Sequence, residues 1–144
     1  MLKEAYMAQL GHAVSEKDCV IVCREKGNDE LAPSKKLFWK FYNLRKQVLE
    51  KHDLHYEGKP DIELEARLHN QAFVDSGYPT TFREQILTDP EAMKKLKAIV
   101  ERSKVEDVYL VCYEGWAKAC HRRILLDICR TAYGADVEIR GIIL

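Results

Sequence analysis

Apolar and polar positions change period along the chain, and those changes divide it into elements. Cys19-Val20-Ile21-Val22-Cys23 is continuously apolar between charged neighbours, which predicts a short strand buried on both faces, as in parallel sheets. Val108-Tyr109-Leu110-Val111 repeats that pattern. Between the two runs the spacing is helical. Leu37, Phe38, Phe41, Leu44 and Val48 share one stripe, with Leu49 at its margin, while Lys35, Lys36, Lys40, Lys46 and Lys51 fall away from it. Pro33 and Ser34 suit the helix entrance, so the spacing predicts a helix to about Lys51 with Trp39 nearer its lysine side.

Other segments follow the same logic. Leu2, Ala5, Tyr6 and Leu10 have roughly helical spacing, which predicts a peripheral N-terminal helix within residues 1–15. Leu54-His55-Tyr56 reads as a short strand closed by Gly58 and Pro60. In residues 61–73, Ile62, Leu64, Ala66 and Leu68 alternate like a strand, but the helix-forming composition favours a helix. Gly77-Tyr78-Pro79 breaks the chain, and Thr81 with Glu84 fits a capping box before a short helix carrying Phe82, Ile86 and Leu87. Asp89 and Pro90 start another helix, with Met93, Leu96, Ile99 and Val100 on its buried face. A helix beginning near Lys118 presents Ile124, Leu125, Ile128 and Ala132 and stops before Gly134, and residues 137–144 read as a last strand. Helices separating apolar strands imply crossovers. The expected architecture is one α/β domain over residues 1–144: a three-layer, Rossmann-like fold, with a mainly parallel sheet of about four strands and helices on both faces.

Composition narrows the function classes. A length of 144 residues suffices to bury a core, and a formal net charge of +0 provides no overall field to attract nucleic acid or an anionic membrane. No run approaches membrane-spanning length and no leader pattern opens the chain, so a cytoplasmic protein with no membrane partner is expected. The cysteines, Cys19, Cys23, Cys112, Cys120 and Cys129, are odd in number and lie in regular segments, so reduced thiols are expected.

Unusual residues concentrate in residues 107–130. Cys112 and Glu114 end a strand, Gly115 and Trp116 turn the chain, and Cys120-His121-Arg122-Arg123 opens a helix. There is also an echo: Val20-Ile21-Val22-Cys23-Arg24-Glu25 resembles Tyr109-Leu110-Val111-Cys112-Tyr113-Glu114. Parallel strands would bring both ends to the sheet edge where open α/β folds bind ligands. Cys120 at a helix start is favoured as a thiolate and nucleophile, or it simply extends the buried stripe. Glu114 is an acid-base candidate, or a helix cap or partner of Arg122. His121 completes the catalytic candidates, and Cys23, Cys112 and Trp116 are the binding ones. Arg24 and Arg122 would clamp a phosphate or carboxylate, unless paired with Glu25 or Asp127. The spacing Cys-x7-Cys-His lacks close cysteine pairs, and neighbouring Cys120 and His121 are not expected to aim at one ion, so neither zinc nor another metal is expected. His12, His52, His55 and His69 form no metal motif, and GxGxxG, P-loop and GxSxG patterns are absent.

Cys112-Tyr113-Glu114 followed by Cys120-His121-Arg122 and an apolar helix resembles the signature of the domain-of-unknown-function 488 family. Leu31-Ala32-Pro33-Ser34-Lys35 and Tyr78-Pro79-Thr80-Thr81-Phe82-Arg83 resemble further segments of it, so the similarity runs from about Val20 to Ile128. The resemblance implies a small cytoplasmic three-layer α/β domain without a settled activity, and it matches Arg24, Cys112, Glu114, Cys120, His121 and Arg122 to the recurring polar residues. Members often carry Asp beside the arginine of the first strand, where this chain has Cys23, which puts any mechanism needing that carboxylate in doubt.

Three functions are expected from these residues. The first is a small enzyme or ligand-binding protein with a Cys/Glu/His/Arg site at the strand ends, taking a small anionic ligand or nucleotide; no particular cofactor is indicated. The second is a nucleic-acid or nucleotide binding module without catalysis, using the lysine-rich helix with Trp39 and Tyr42. The third is a structural or interaction protein.

Overall fold

The computed structural model describes residues 1–144. In chain order the elements are β1 (Leu2–Tyr6), β2 (Cys19–Ile21), α1 (Lys35–Glu50), the hairpin strands β3 (His55–Tyr56) and β4 (Lys59–Pro60), α2 (Ile62–Asp75), α3 (Tyr78–Leu87), α4 (Pro90–Ser103), β5 (Val108–Cys112) and α5 (His121–Tyr133). The main sheet has three strands in the order β1-β5-β2, with both pairings parallel. Their carboxyl ends therefore share one edge. No helix is long and apolar enough to cross a membrane.

The chain is α/β, and three expectations about the sheet need correction. The N-terminal segment is a strand: Leu2 pairs with Val108 and Tyr6 with Cys112 in register. Its helical spacing was misleading because Glu4, a buried carboxylate, occupies a core position that an apolar residue would have marked. Residues 137–144 are not a strand. A bridge joins Leu2 to Val137, after which the Arg140 and Gly141 amides turn to the Glu4 carboxylate and the Ile142 amide donates to the Trp116 carbonyl. The sheet thus has three strands rather than four.

The third correction concerns the layers. Leu2, Val108, Leu110 and Cys112 alternate onto the face that packs with the helices, where α5 contacts β1 and β5, and α4 contacts β5. Ala5 and Val111 point the other way and pack with Val14, Met7, Cys19, Ile21 and Tyr109, a cluster without an α-helical member. The expected helices on both faces are not found there. Strand β2 is half-buried at the sheet edge rather than buried on both faces, although Val22 and Cys23 beyond its end are buried.

Helix predictions agree better. Ser34 caps α1 by accepting from the Leu37 amide, Asp89 caps α4 by accepting from Glu91 and Ala92, and Gly134 ends α5 with φ +64°. Asp61 caps α2 by accepting from Leu64, which resolves the ambiguous segment as a helix. The capping box at Thr81 is not formed, because α3 starts three residues earlier, where Gly77 adopts φ +73° and Pro79 lies in the first turn. Phe38, expected on the buried stripe of α1, is exposed beside Trp39 and Tyr42.

Candidate functional site

Past the end of β2, the chain turns through Arg24 and Glu25, and past the end of β5 it crosses Tyr113 to Cys120 before entering α5. These two turns, with α1, α2 and the start of α3, surround a cavity of about 510 Å³. Cys23, Arg24, Cys112, Glu114, Cys120 and His121 all line it. The aromatic side chains of Phe38, Trp39, Phe41, Phe73 and Tyr78 form much of the remaining wall.

Helix α2 holds the turn before α5 in place. The Asn70 side chain donates to the Ala117 carbonyl at 2.9 Å and accepts from the Ala119 amide at 2.7 Å, while His69 Nε2 lies 2.9 Å from the Ala119 carbonyl. A carbonyl only accepts, so Nε2 carries the proton, and Nδ1 accepts from Arg45 Nε at 3.1 Å. Burial pushes the His69 pKa down, which agrees with a neutral ring. Gln85 fixes the opposite wall by bridging the Ala32 carbonyl and the Ser34 amide.

The floor is a cluster of sulfur and imidazole. Cys23 Sγ lies 3.4 Å from Cys112 Sγ, and His121 Nδ1 lies 3.8 Å from Cys112 Sγ and 3.7 Å from Cys120 Sγ. His121 Nε2 is 2.8 Å from the Val22 carbonyl, so Nε2 donates and the Nδ1 lone pair faces the sulfurs. Cys120 occupies the extended cap position, with φ −150° and ψ 147°, and His121 is the first helical residue. That change of backbone conformation lets adjacent side chains converge. The argument from adjacency against a shared ion therefore fails, since the ligand atoms of Cys112, Cys120 and His121 lie within 4.8 Å of one another.

The thiols do not behave as a helix start alone would suggest. Burial, and next the Cys112 contact, push the Cys120 thiol well above its ordinary value. At Cys112 the Cys120 contact lowers the pKa, but the Cys23 contact and burial outweigh it and push the thiol up to about 12. Cys23 is shifted down, chiefly by its contact with Cys112. Burial thus opposes the ionisation that the helix start was expected to favour at Cys120.

Glu114 is half-buried in the cavity wall without an ion pair or a helix-capping bond, so its carboxylate is open to a ligand. Arg24 stands at the mouth, donating to the Pro33 carbonyl and lying 3.8 Å from Asp29. Glu25 beside it adopts φ +66°, a strained conformation for a residue with a side chain.

Two expected binding residues lie elsewhere. Arg122 is fully buried, with Nε bound to Glu4 Oε1 at 2.7 Å, and does not line the cavity. Trp116 packs edge-on against Tyr6 at 5.0 Å and has the guanidinium groups of Arg122 and Arg140 over its ring, at 5.6 and 5.0 Å from its centre. Both belong to the support of β1 rather than to the cavity.

His69, Asn70 and Tyr78 are site residues that the sequence reading missed. His69 follows Ala66 by three residues and precedes Phe73 by four on the buried face of α2, so a polar residue on an apolar stripe was its available signal. Tyr78 resembled a chain-break residue, and nothing in its spacing marked it. Comparison with protein-family models, curated proteins and solved structures gives no match to this chain.

Proposed function

We propose that the chain is a small enzyme or ligand-binding domain that takes a small anionic ligand with a flat, apolar body into the strand-end cavity. The observation that carries this reading is the convergence of Cys23, Arg24, Cys112, Glu114, Cys120 and His121 on one aromatic-walled cavity at the carboxyl edge of the parallel strands. The aromatic rings suit a flat ligand body, and Arg24 and Lys35 at the rim suit its anionic group. Glu114 is the acid-base candidate. Membership of the domain-of-unknown-function 488 family and a cytoplasmic location are part of this proposal. So is a Rossmann-like character for the sheet, supported by its parallel strands with a cavity at their carboxyl ends.

The test is a nuclear magnetic resonance titration of the isotope-labelled chain with carboxylated and phosphorylated aromatic fragments, with chelator present throughout. Binding should shift the amides of Arg24, Trp39, Glu114 and Cys120, and Arg24→Ala should weaken the anionic members about tenfold, or about 1.4 kcal/mol. Shifts confined to other surfaces, or no binding at millimolar fragment, would remove the reading.

One observation favours nucleic acid as a second reading. Phe38, Trp39 and Tyr42 are exposed and mutually packed, with ring centroids 5.5 to 5.9 Å apart, among Lys35, Lys36 and Lys40. Stacking rings beside cations suit single-stranded nucleic acid. Binding of short oligonucleotides that falls steeply with salt and is lost in Trp39→Ala supports this reading, whereas absence of binding at low salt excludes it.

A further inference from the structure

We propose that Cys112, Cys120 and His121 bind a zinc-class metal ion, with its remaining coordination position turned into the strand-end cavity. The inference deepens the proposed ligand site and rests on that reading for the role of the fourth position. The geometry is close to that of a filled site. Zinc–sulfur bonds of about 2.3 Å and zinc–nitrogen bonds of about 2.0 Å, at tetrahedral angles, separate sulfur from nitrogen by about 3.5 Å and sulfur from sulfur by about 3.8 Å. The two sulfur–nitrogen separations are 3.8 and 3.7 Å. Small side-chain rotations close the difference.

Orientation supports the same conclusion. Metal-binding imidazoles commonly donate their other N–H to a carbonyl or carboxylate, which fixes the tautomer, and His121 Nε2 is bound to the Val22 carbonyl at 2.8 Å. Cys23 Sγ, 3.4 Å from Cys112 Sγ, is positioned to donate a hydrogen bond to a metal-bound thiolate. Soft thiolate ligands with one imidazole select zinc over magnesium or calcium, which prefer oxygen. Two cysteines and a histidine leave one position of a tetrahedral ion free, the composition of a catalytic rather than a structural centre. All three ligand residues line the cavity, so a ligand in it would meet the ion. On binding, each thiol releases its proton to solvent as its sulfur–metal bond forms.

Titration of the reduced full chain with cobalt(II), then displacement by zinc, tests the proposal. The expected result is one equivalent of cobalt with thiolate charge-transfer absorption and the strong visible bands of a tetrahedral site, and release of about two protons per ion. Cys112→Ser, Cys120→Ser and His121→Gln should each weaken binding by at least about tenfold, as loss of a direct ligand exceeds the effect of losing its supporting bond. Cys19→Ser lies outside the cluster and should bind as the parent does. Absence of thiolate absorption in the folded parent overturns the proposal even if a variant fails to fold, as does binding that survives all three substitutions. Fragment binding in chelator with no metal uptake defeats the metal site alone. Metal uptake without fragment binding defeats the small-molecule reading alone.

Discussion

Replacing Glu4 by Gln tests the charge cluster that anchors β1. The Glu4 carboxylate accepts from Arg122 Nε at 2.7 Å, from Arg123 Nε at 2.9 Å, from the Arg140 amide at 2.7 Å and from the Gly141 amide at 3.2 Å. Arg123 has other acceptors, the carbonyls of Lys118, Ile142 and Gly115, but Arg122 Nη1 and Nη2 have no protein partner. Glutamine would preserve the shape while removing the only anion, leaving two buried guanidinium charges. Its amide nitrogen would also face backbone donors. Breaking a buried ion pair from one side costs about 3–5 kcal/mol, equivalent to a melting temperature roughly 6–20 °C lower for a chain of this size. Burial alone would raise the Glu4 pKa, but the Arg122 hydrogen bond, the Arg123 charge and the Arg140 amide outweigh it, and the value falls below the ordinary 4.5. A depressed carboxyl contributes stability above its unfolded pKa and loses it as pH falls through the folded value. Urea unfolding of parent and variant should therefore differ by a constant amount between about pH 6 and 8, with the gap closing only below about pH 4.5. A loss under about 1 kcal/mol at pH 7, or a gap that closes above pH 6, refutes the reasoning.

Four further outcomes follow from the same structure. Arg122→Met leaves the Glu4–Arg123 pair intact and removes the poorly partnered cation, so it should destabilise by less than about 1.5 kcal/mol in the same urea assay, well below Glu4→Gln. Gly141→Ala would place its methyl carbon 1.9 Å from Arg123 Nη2, and because that guanidinium is pinned on several sides, thermal unfolding should show a loss of roughly 1–3 kcal/mol; an unchanged melting temperature would show that Arg123 moves freely. Asn70→Ala removes the two bonds that Asn70 makes to the turn before α5 and leaves the His69 bond, so hydrogen exchange of the Ala119 amide should accelerate, with a stability loss of about 1–3 kcal/mol. Native iodoacetamide labelling in chelator should modify Cys120 more slowly than Cys19, because Cys120 is buried and Cys19 is half-exposed; the reverse order would restore Cys120 as an accessible nucleophile.

Legibility in the sequence followed how locally each element is determined. Ser34, Asp89 and Gly134 act through their own turns, and the helices they bound are where spacing and capping chemistry put them. Strand β1 is determined by pairing with residues more than 100 positions away and by a buried glutamate whose compensating arginines lie in α5, neither of which is visible in a local window. Residues 137–144 are apolar at strand-like intervals, but beyond the single bridge to Leu2 their amides bond to Glu4 and Trp116 instead of continuing along β1. The site is a mixed case. The echo between the ends of β2 and β5 placed Cys23, Arg24, Cys112 and Glu114 at one edge, because parallel pairing with a shared register necessarily collects strand ends. Arg122 was misplaced because only packing shows that it and Arg123 both turn to the Glu4 carboxylate on β1. His69 and Tyr78 enter the wall through tertiary packing of α2 and α3.

The state of Cys120 turns on the relative size of two effects. A helix N-terminus favours an anion by typically about 0.3–1 kcal/mol, and by about 2 kcal/mol in favourable buried geometry. Removing a charged group from water costs several kcal/mol unless a partner compensates. Cys120 is buried, its neighbour Cys112 is another thiol, and the His121 contact, which favours the thiolate, is the smaller effect. Desolvation therefore prevails over the helix dipole and pushes the Cys120 thiol up. Activating these sulfurs requires a full positive charge within bonding distance. Nearby arginines do not provide it: Arg122 and Arg123 are bound to Glu4, and Arg24 lies at the cavity mouth with Asp29. A cation placed among Cys112, Cys120 and His121 would supply that charge and convert the burial that suppresses ionisation into a low-dielectric setting that strengthens coordination. The arrangement that argues against a free catalytic thiolate thus favours metal coordination by the same residues.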